Sequence, residues 1–222
     1  MSILLHIDTA VQSASVCLAE DDRSIGLKIN PTQKDHAAWL HVAIRDLLAE
    51  KHITLQQVDA FCISAGPGSY TGLRVAMATV KGLCYALHKP LIMVNTLQMM
   101  ASAAPKQDGP LLCPMIDARR MEVFTAVYNA SLEEILPPAN TILDQNSFHN
   151  LLEQYTIRFF GNGSAKFKAV LHSPIAIFEE VVATAENMAG LGYEQFLKGN
   201  FADLAYSEPF YGKDFHSPAK KQ

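Results

Sequence analysis

Short segments that are apolar throughout alternate with helical ones along this chain, and that order constrains the fold more than any single motif. Residues 3–8, 15–19 and 24–29 read as three successive strands, the last two joined by the polar turn Glu20-Asp21-Asp22-Arg23. Residues 36 to about 51 carry Ala37, Leu40, Ile44, Leu47 and Leu48 at helical spacing, with Asp35 placed as the cap. Thr54-Leu55-Gln56-Gln57 has capping-box spacing for a short helix. Residues 60–65 form the next strand, Gly66-Pro67-Gly68-Ser69-Tyr70-Thr71-Gly72 a tight loop, and 71–88 a helix. Pro90 resets the chain before a strand at 91–95 and a helix at 97–104.

The same order returns after Pro105, Gly109 and Pro110, where the domain boundary is placed: 1–104 is one lobe and 105–222 the other. Residues 111–117 and 122–128 read as a hairpin joined at Ala118-Arg119-Arg120, followed by a weak strand at 141–143. A helix at 147–154, a strand at 157–160, and helices at 164–171 and 184–198 complete the lobe, with Gly199 as the last stop. Strands that are apolar on both faces call for helices on both sides of a mixed sheet. The fold class is therefore α/β, with two ribonuclease-H-like lobes in the architecture of the actin-like ATPases.

The chain of 222 residues is 49% hydrophobic and 18% charged, enough to bury a sizeable core. A net charge of −4 argues against a basic surface able to grip RNA unaided. Cys17, Cys62, Cys84 and Cys113 sit in apolar runs without a C-x-x-C pair and read as reduced core residues. The first eight residues lack a basic n-region and read as a strand rather than a signal peptide. The most apolar stretch, 73–87, is broken by Arg74 and Lys81, so no membrane span is expected.

Asp8 and Asp117 end the first strand of each lobe, where actin-like ATPases keep carboxylates that organise Mg²⁺ around phosphates. The phosphate turn after such a residue is usually Gly-rich, so that backbone N–H groups can approach. Here Thr9-Ala10-Val11-Gln12-Ser13 and Ala118-Arg119-Arg120 follow, without glycine, and no Walker-type loop is present. The 66–72 loop leads from strand to helix, and two readings stand side by side. Its glycines permit a tight turn and close packing, or its free N–H groups, with Ser69 and Thr71, hold an anion. Asp8, Gly66, Gly68, Ser69 and Thr71 are the candidate anion or nucleotide contacts. No G-x-S-x-G elbow occurs, and Glu133-Glu134 and Glu179-Glu180 read as solvated faces.

The 71–88 helix is apolar in nearly every direction, which predicts burial on both sides. Ala78, Gly82 and Ala86 recur every four residues as a flat ridge for close helix approach. The candidate partner interface is Trp39, Val42 and Ala43 on the 36–51 helix with Met77, Ala78, Val80, Lys81, Gly82 and Cys84 on this one. Two such helices could cover about 800 Å² of a partner. The competing reading buries them under the second lobe.

Several motifs together resemble the TsaB (YeaZ) family: Asp8-Thr9-Ala10, the loop from Gly66 to Arg74, Lys81-Gly82-Leu83, Ile116-Asp117-Ala118-Arg119 with Glu122-Val123, and Glu208-Pro209-Phe210-Tyr211. Tyr70 stands where that family usually has Phe, and Ala76 where it often has Gly. The resemblance is strong over the first 125 residues or so. It implies a role in forming threonylcarbamoyladenosine at position 37 of tRNA, as a cytoplasmic partner of the catalytic transferase subunit TsaD that helps recruit the ATPase subunit TsaE. With the net charge of −4, tRNA contact is expected only through the complex, while a homodimer of the isolated chain and ATP or ADP at a subunit interface stand as open alternatives. The catalytic relative carries a His-x-x-x-His metal pair where this chain has Thr96 and Met100, poor ligands for a hard or borderline ion. An intrinsic metal, peptidase activity and independent catalysis are therefore not expected. The runner-up is a small-molecule phosphotransferase of the same fold. The tail beyond Tyr211, with Lys213, Lys220 and Lys221, is a weaker candidate for touching tRNA.

Overall fold

The computed structural model describes residues 1–32 and 36–212. Asp35 as a helix cap and the tail lysines Lys213, Lys220 and Lys221 lie outside the described residues. The first sheet holds β1 (Ile3–Asp8), β2 (Ala14–Glu20), β3 (Arg23–Asn30), β4 (Ala60–Ser64) and β5 (Leu91–Val94), in the order β3-β2-β1-β4-β5. The second holds β6 (Leu111–Asp117), β7 (Glu122–Tyr128), β8 (Glu134–Ile142), β9 (Ile157–Phe160) and β10 (Ala176–Phe178), in the order β8-β7-β6-β9-β10. In both, an antiparallel meander leads into two parallel strands. The helices are α1 (His36–Glu50), α2 (Tyr70–Leu87), α3 (Thr96–Ser102), α4 (His149–Leu152), α5 (Ser164–Lys168) and α6 (Ala189–Leu197). The two-lobed α/β reading of the sequence holds.

Cross-strand register decides which face each side chain serves. Leu5, Ile7, Val16, Leu18, Phe61 and Ile63 share one face of the first sheet and bury against Leu40, Ile44 and Leu47 of α1 and Ala76, Met77 and Val80 of α2. The opposite face presents Leu4, Cys17, Cys62 and Ile92 to a central layer made of α3 and the 3-10 turn Ala185–Met188. The second sheet closes that layer from its far side with Leu112, Ile116, Ala126 and Phe160. The inner strands of both sheets are thus covered on both sides, the outer face of the second by Leu152 of α4 and Phe167 of α5, which is why they lack simple polar alternation.

Four expectations need correction. The strand expected at 141–143 runs from Glu134. Pro137 and Pro138 and nearly continuous exposure disguised it, and an edge strand tolerates both because one side makes no ladder bonds. The three-residue β10 escaped periodicity altogether. The helices at 147–154 and 164–171 shorten to α4 and α5, and 184–198 divides into a 3-10 turn and α6. The 105–222 lobe does not hold to its end, because the chain returns to the first sheet after β10. Ala185 N donates to Ser15 Oγ at 2.8 Å, Ser102 Oγ donates to Asn187 O at 2.7 Å, and Ala202 bridges to Leu91.

His6 is one polar intruder in the central layer. It lies between Cys17 and Cys62 in register, against Gly192 of α6, fully buried with neither ring nitrogen paired. Burial holds its pKa down at about 3. Below about pH 6.5 the unfolded imidazole takes a proton that the folded one refuses, so stability falls as pH drops. His6→Leu is expected to raise the urea midpoint by the equivalent of about 1–2 kcal/mol at pH 7, and by more at pH 5. A destabilised variant would mean that the imidazole makes a bond worth keeping.

Candidate functional site

The carboxyl ends of β1, β4, β6, β9 and β10 converge on the gap between the sheets, the place where open α/β sheets receive ligands. A cavity of about 810 Å³ opens there. Ala10, Ser69 and Thr71 line it from the first lobe, and Asp117, Arg119 and Asn162 from the second.

The two topologically equivalent aspartates have opposite environments. Asp8 is fully buried behind the β1 turn, away from the cavity lining. Its Oδ1 accepts from Ala10 N at 2.9 Å and from the Ser64 hydroxyl, and its Oδ2 has no partner. Burial raises its pKa to about 6, against the lowering by those two bonds. Asp117 stands at the cavity rim, where its Oδ1 accepts from Arg119 N at 2.6 Å and Lys166 Nζ at 2.7 Å. The Lys166 hydrogen bond holds this carboxyl below the usual range, with the Arg119 amide adding to it. Lys166 is also bonded to the carbonyls of Arg120 and Glu122, so it fixes the β6–β7 turn.

The 66–72 loop is welded to the turn after β1. A Cβ at Gly72 would fall 1.8 Å from the Thr9 carbonyl, and one at Gly68 2.4 Å from that of Ala10. Ser69 N donates to Ala10 O at 2.7 Å, and Thr9 Oγ1 to Gly72 O at 2.6 Å. Of the two readings of these glycines, the geometry supports close packing, since the space before them is filled by this chain's own carbonyls. Among the five candidate anion contacts, Gly68, Ser69 and Thr71 reach the cavity, while Asp8 and Gly66 stay buried behind it.

Thr96 and Met100 stand one turn apart on α3, as expected. The Thr96 hydroxyl accepts from Gly66 N at 3.0 Å, and Met100 lines the cavity. Among the described residues no group of three or more His, Cys, Asp or Glu is placed to hold a metal ion.

The interface set divides. Ala43, Met77, Val80 and Cys84 are buried in their own lobe's core, so they cannot meet a partner directly. Each lies on the inward stripe with Leu40, Leu73 and Ala76, an i, i+3, i+4 pattern that already distinguishes it from the opposite ridge. Trp39 is half-buried against the same core, and Lys81 is half-buried. Val42, Ala78 and Gly82 are exposed, with Tyr85 and Ala86 beside them, so α2 is open on one side rather than buried on both. Nothing lies within 4 Å of a Cβ built on Gly82.

Glu179 and Glu180, read as a solvated face, line the cavity. Glu179 pairs at 2.7 Å with Arg158, which is 3% exposed and also donates to Pro105 O at 2.7 Å. An arginine inside the apolar strand Ile157–Phe160 was the available signal, because a buried guanidinium needs a carboxylate. Arg74 and Tyr211 were also missed as a pair. They are bonded at 3.1 Å across 137 residues, and nothing local in the sequence joins them.

Among the described residues no helix is long and apolar enough to cross a membrane. A family model described as "TsaD: tRNA N6-adenosine threonylcarbamoyltransferase" matches residues 29–209. The chain is 32% identical over 143 residues to the tRNA threonylcarbamoyladenosine biosynthesis protein TsaB of Bacillus subtilis, a match spanning 63% of this chain and 62% of that protein. It is 26% identical over 216 residues to the Escherichia coli protein of the same name, spanning 94% and 93%. The solved YeaZ structure from Pseudomonas aeruginosa superposes with a TM-score of 0.81 at 28% identity, over 95% of this chain and all of that one. A polyphosphate/ATP-glucomannokinase from Arthrobacter, at 11% identity and a TM-score of 0.50, shares the fold alone.

Asp8→Asn keeps an oxygen for both Oδ1 bonds and removes the buried charge. A carboxyl whose folded pKa is raised lends most stability below about pH 4 and loses it as pH climbs through 6. The variant is expected to match the parent at pH 4 and to exceed it by about 2–3 kcal/mol at pH 8 in denaturant titrations. An equal effect at both pH values would contradict a buried, proton-binding Asp8.

Proposed function

The chain belongs to the TsaD-type threonylcarbamoyltransferase family and, within it, to the TsaB (YeaZ) line of threonylcarbamoyladenosine biosynthesis proteins, and from that premise we propose that it is a non-catalytic scaffold. In this reading it acts in the cytoplasm, seats a TsaD-like transferase subunit on the outer face of α2, and helps to recruit a TsaE-like ATPase. It meets tRNA only through the assembled complex, in keeping with its net charge of −4.

The observation that carries the reading is the open side of α2. Ala78, Gly82 and Ala86 leave a flat strip on which another helix can lie close, flanked by Tyr85 at 77% exposure and, on the adjoining α1, Val42 at 45%. Aromatic anchors beside small residues suit a well-packed interface. The same strip offers a seat to a second copy of the chain when the transferase is absent. Thr96 and Met100 at the positions of the relative's metal pair support a role without chemistry of its own. ATP or ADP, in this account, binds at the boundary between subunits. A phosphotransferase is the second reading, favoured by the interlobe cavity. Mg-ATP turnover by the purified chain would decide for it.

Co-expression with a transferase subunit followed by gel filtration tests the scaffold. Ala78→Glu and Gly82→Glu, each on the open strip, are expected to weaken co-elution at least tenfold with Tm within about 2 °C of the parent. Met77→Glu and Val80→Glu should instead lower stability by about 3 kcal/mol or more, because each buries a charge in the core. Intact co-elution of both strip variants would remove α2 from the interface.

A further inference from the structure

The last described residues cross the mouth of the interlobe cleft. The chain first follows α2, where Lys81 Nζ donates to Ala205 O at 3.3 Å. Phe210 N then donates to Ala65 O at 2.8 Å. The Phe210 carbonyl covers Gly66 so closely that a Cβ there would sit 2.1 Å from it, and Gly66 itself has φ +109°. Tyr211 lies on Tyr70, ring centroids 5.1 Å apart, and its hydroxyl accepts from Arg74 Nε at 3.1 Å. The Arg74 guanidinium stands 4.2 Å from the centre of the Tyr70 ring. Gly212 finally rests on the other lobe, where a Cβ would fall 2.5 Å from the Phe124 ring. Tyr70 and Phe124 both line the cavity, one from each lobe.

We propose that residues 210–212 are a clasp that sets the opening of the interlobe cleft, with Tyr211 as its positioning residue, and that occupation of the α2 face is transmitted to the cleft through it. The second half rests on the partner reading given above. The chain joins the lobes covalently at 104–111 and again at 178–185, and the clasp closes a further side. Its polar contacts are exposed at Arg74 and weak singly, so it can release without unfolding either core. Arg74 and Lys81, which hold the strap, also stand on α2, the same helix as the open strip of Ala78 and Gly82. A partner pressed onto that strip competes for both cations and loosens Tyr211.

Hydrogen exchange by mass spectrometry, on the full chain alone, tests the clasp. Tyr211→Ala is expected to speed exchange several-fold in residues 66–71 and in 117–124 together, with α1 unchanged and Tm within about 2 °C. Tyr211→Phe, which keeps the ring and loses the hydroxyl, should fall between. Faster exchange in 66–71 alone, or in neither segment, overturns the clasp. The transmission is read by adding a transferase subunit. Exchange in 117–124 should rise in the parent and stay at its already raised level in Tyr211→Ala, although both bind. Equal rises in both overturn the transmission. Failure of both to bind overturns the partner reading and the transmission with it, while the clasp stands or falls on the isolated chain.

Discussion

The backbone of the 66–72 loop lies against the turn after β1 with no room for a methyl group between them, and the rest of the structure depends on that contact. Gly72 meets the Thr9 carbonyl and Gly68 that of Ala10, while Ser69 N and Thr9 Oγ1 fasten the two segments by hydrogen bonds. The contact fixes where α2 begins, with the Ser69 hydroxyl accepting from Gly72 N as the cap. It therefore fixes which of the α2 residues turn inward to Leu5, Ile7 and Phe61 and which form the open strip. It also sets the first-lobe rim of the cleft, and on that rim Tyr70 meets Tyr211.

Much of this was legible because the inner strands of both sheets are covered on both faces. Strands such as Ile3–Asp8 and Ala60–Ser64 carry runs of consecutive apolar residues, and the sequence marks them clearly. The repeated element order was enough to infer two similar lobes, and the sheets do share one topology. What the sequence hid was long-range. Residues after β10 belong with the first sheet because Ala185 bonds to Ser15, 170 positions away, and no local pattern records such a return. The edge strand β8 was obscured by prolines that only an unpaired edge accepts.

The candidate site was legible in its parts and not in its assembly. The loop, the two aspartates and the Thr96–Met100 pair were the positions the sequence singled out, and of these Gly68, Ser69, Thr71, Met100 and Asp117 line the cavity. Their roles came from burial. Asp8 sits unsolvated behind the loop, whereas Asp117 is neutralised at the rim by Lys166. The same accounting divides the interface set. Met77 and Val80 hold α2 to its own sheet, and only the strip opposite them is available to another chain. A composition count sees an apolar helix, while the three-dimensional packing separates a core stripe from an exposed strip on one element.

The central claim is that another polypeptide covers the outer face of α2, and Tyr85, 77% exposed there, is a built-in reporter. Hydroxyl-radical footprinting of the chain before and after a transferase subunit is added measures that exposure directly. The account predicts that oxidation of Tyr85 falls several-fold in the complex, while Tyr155 on the second lobe is oxidised as before. A complex that forms and leaves Tyr85 as reactive as in the free chain would contradict it.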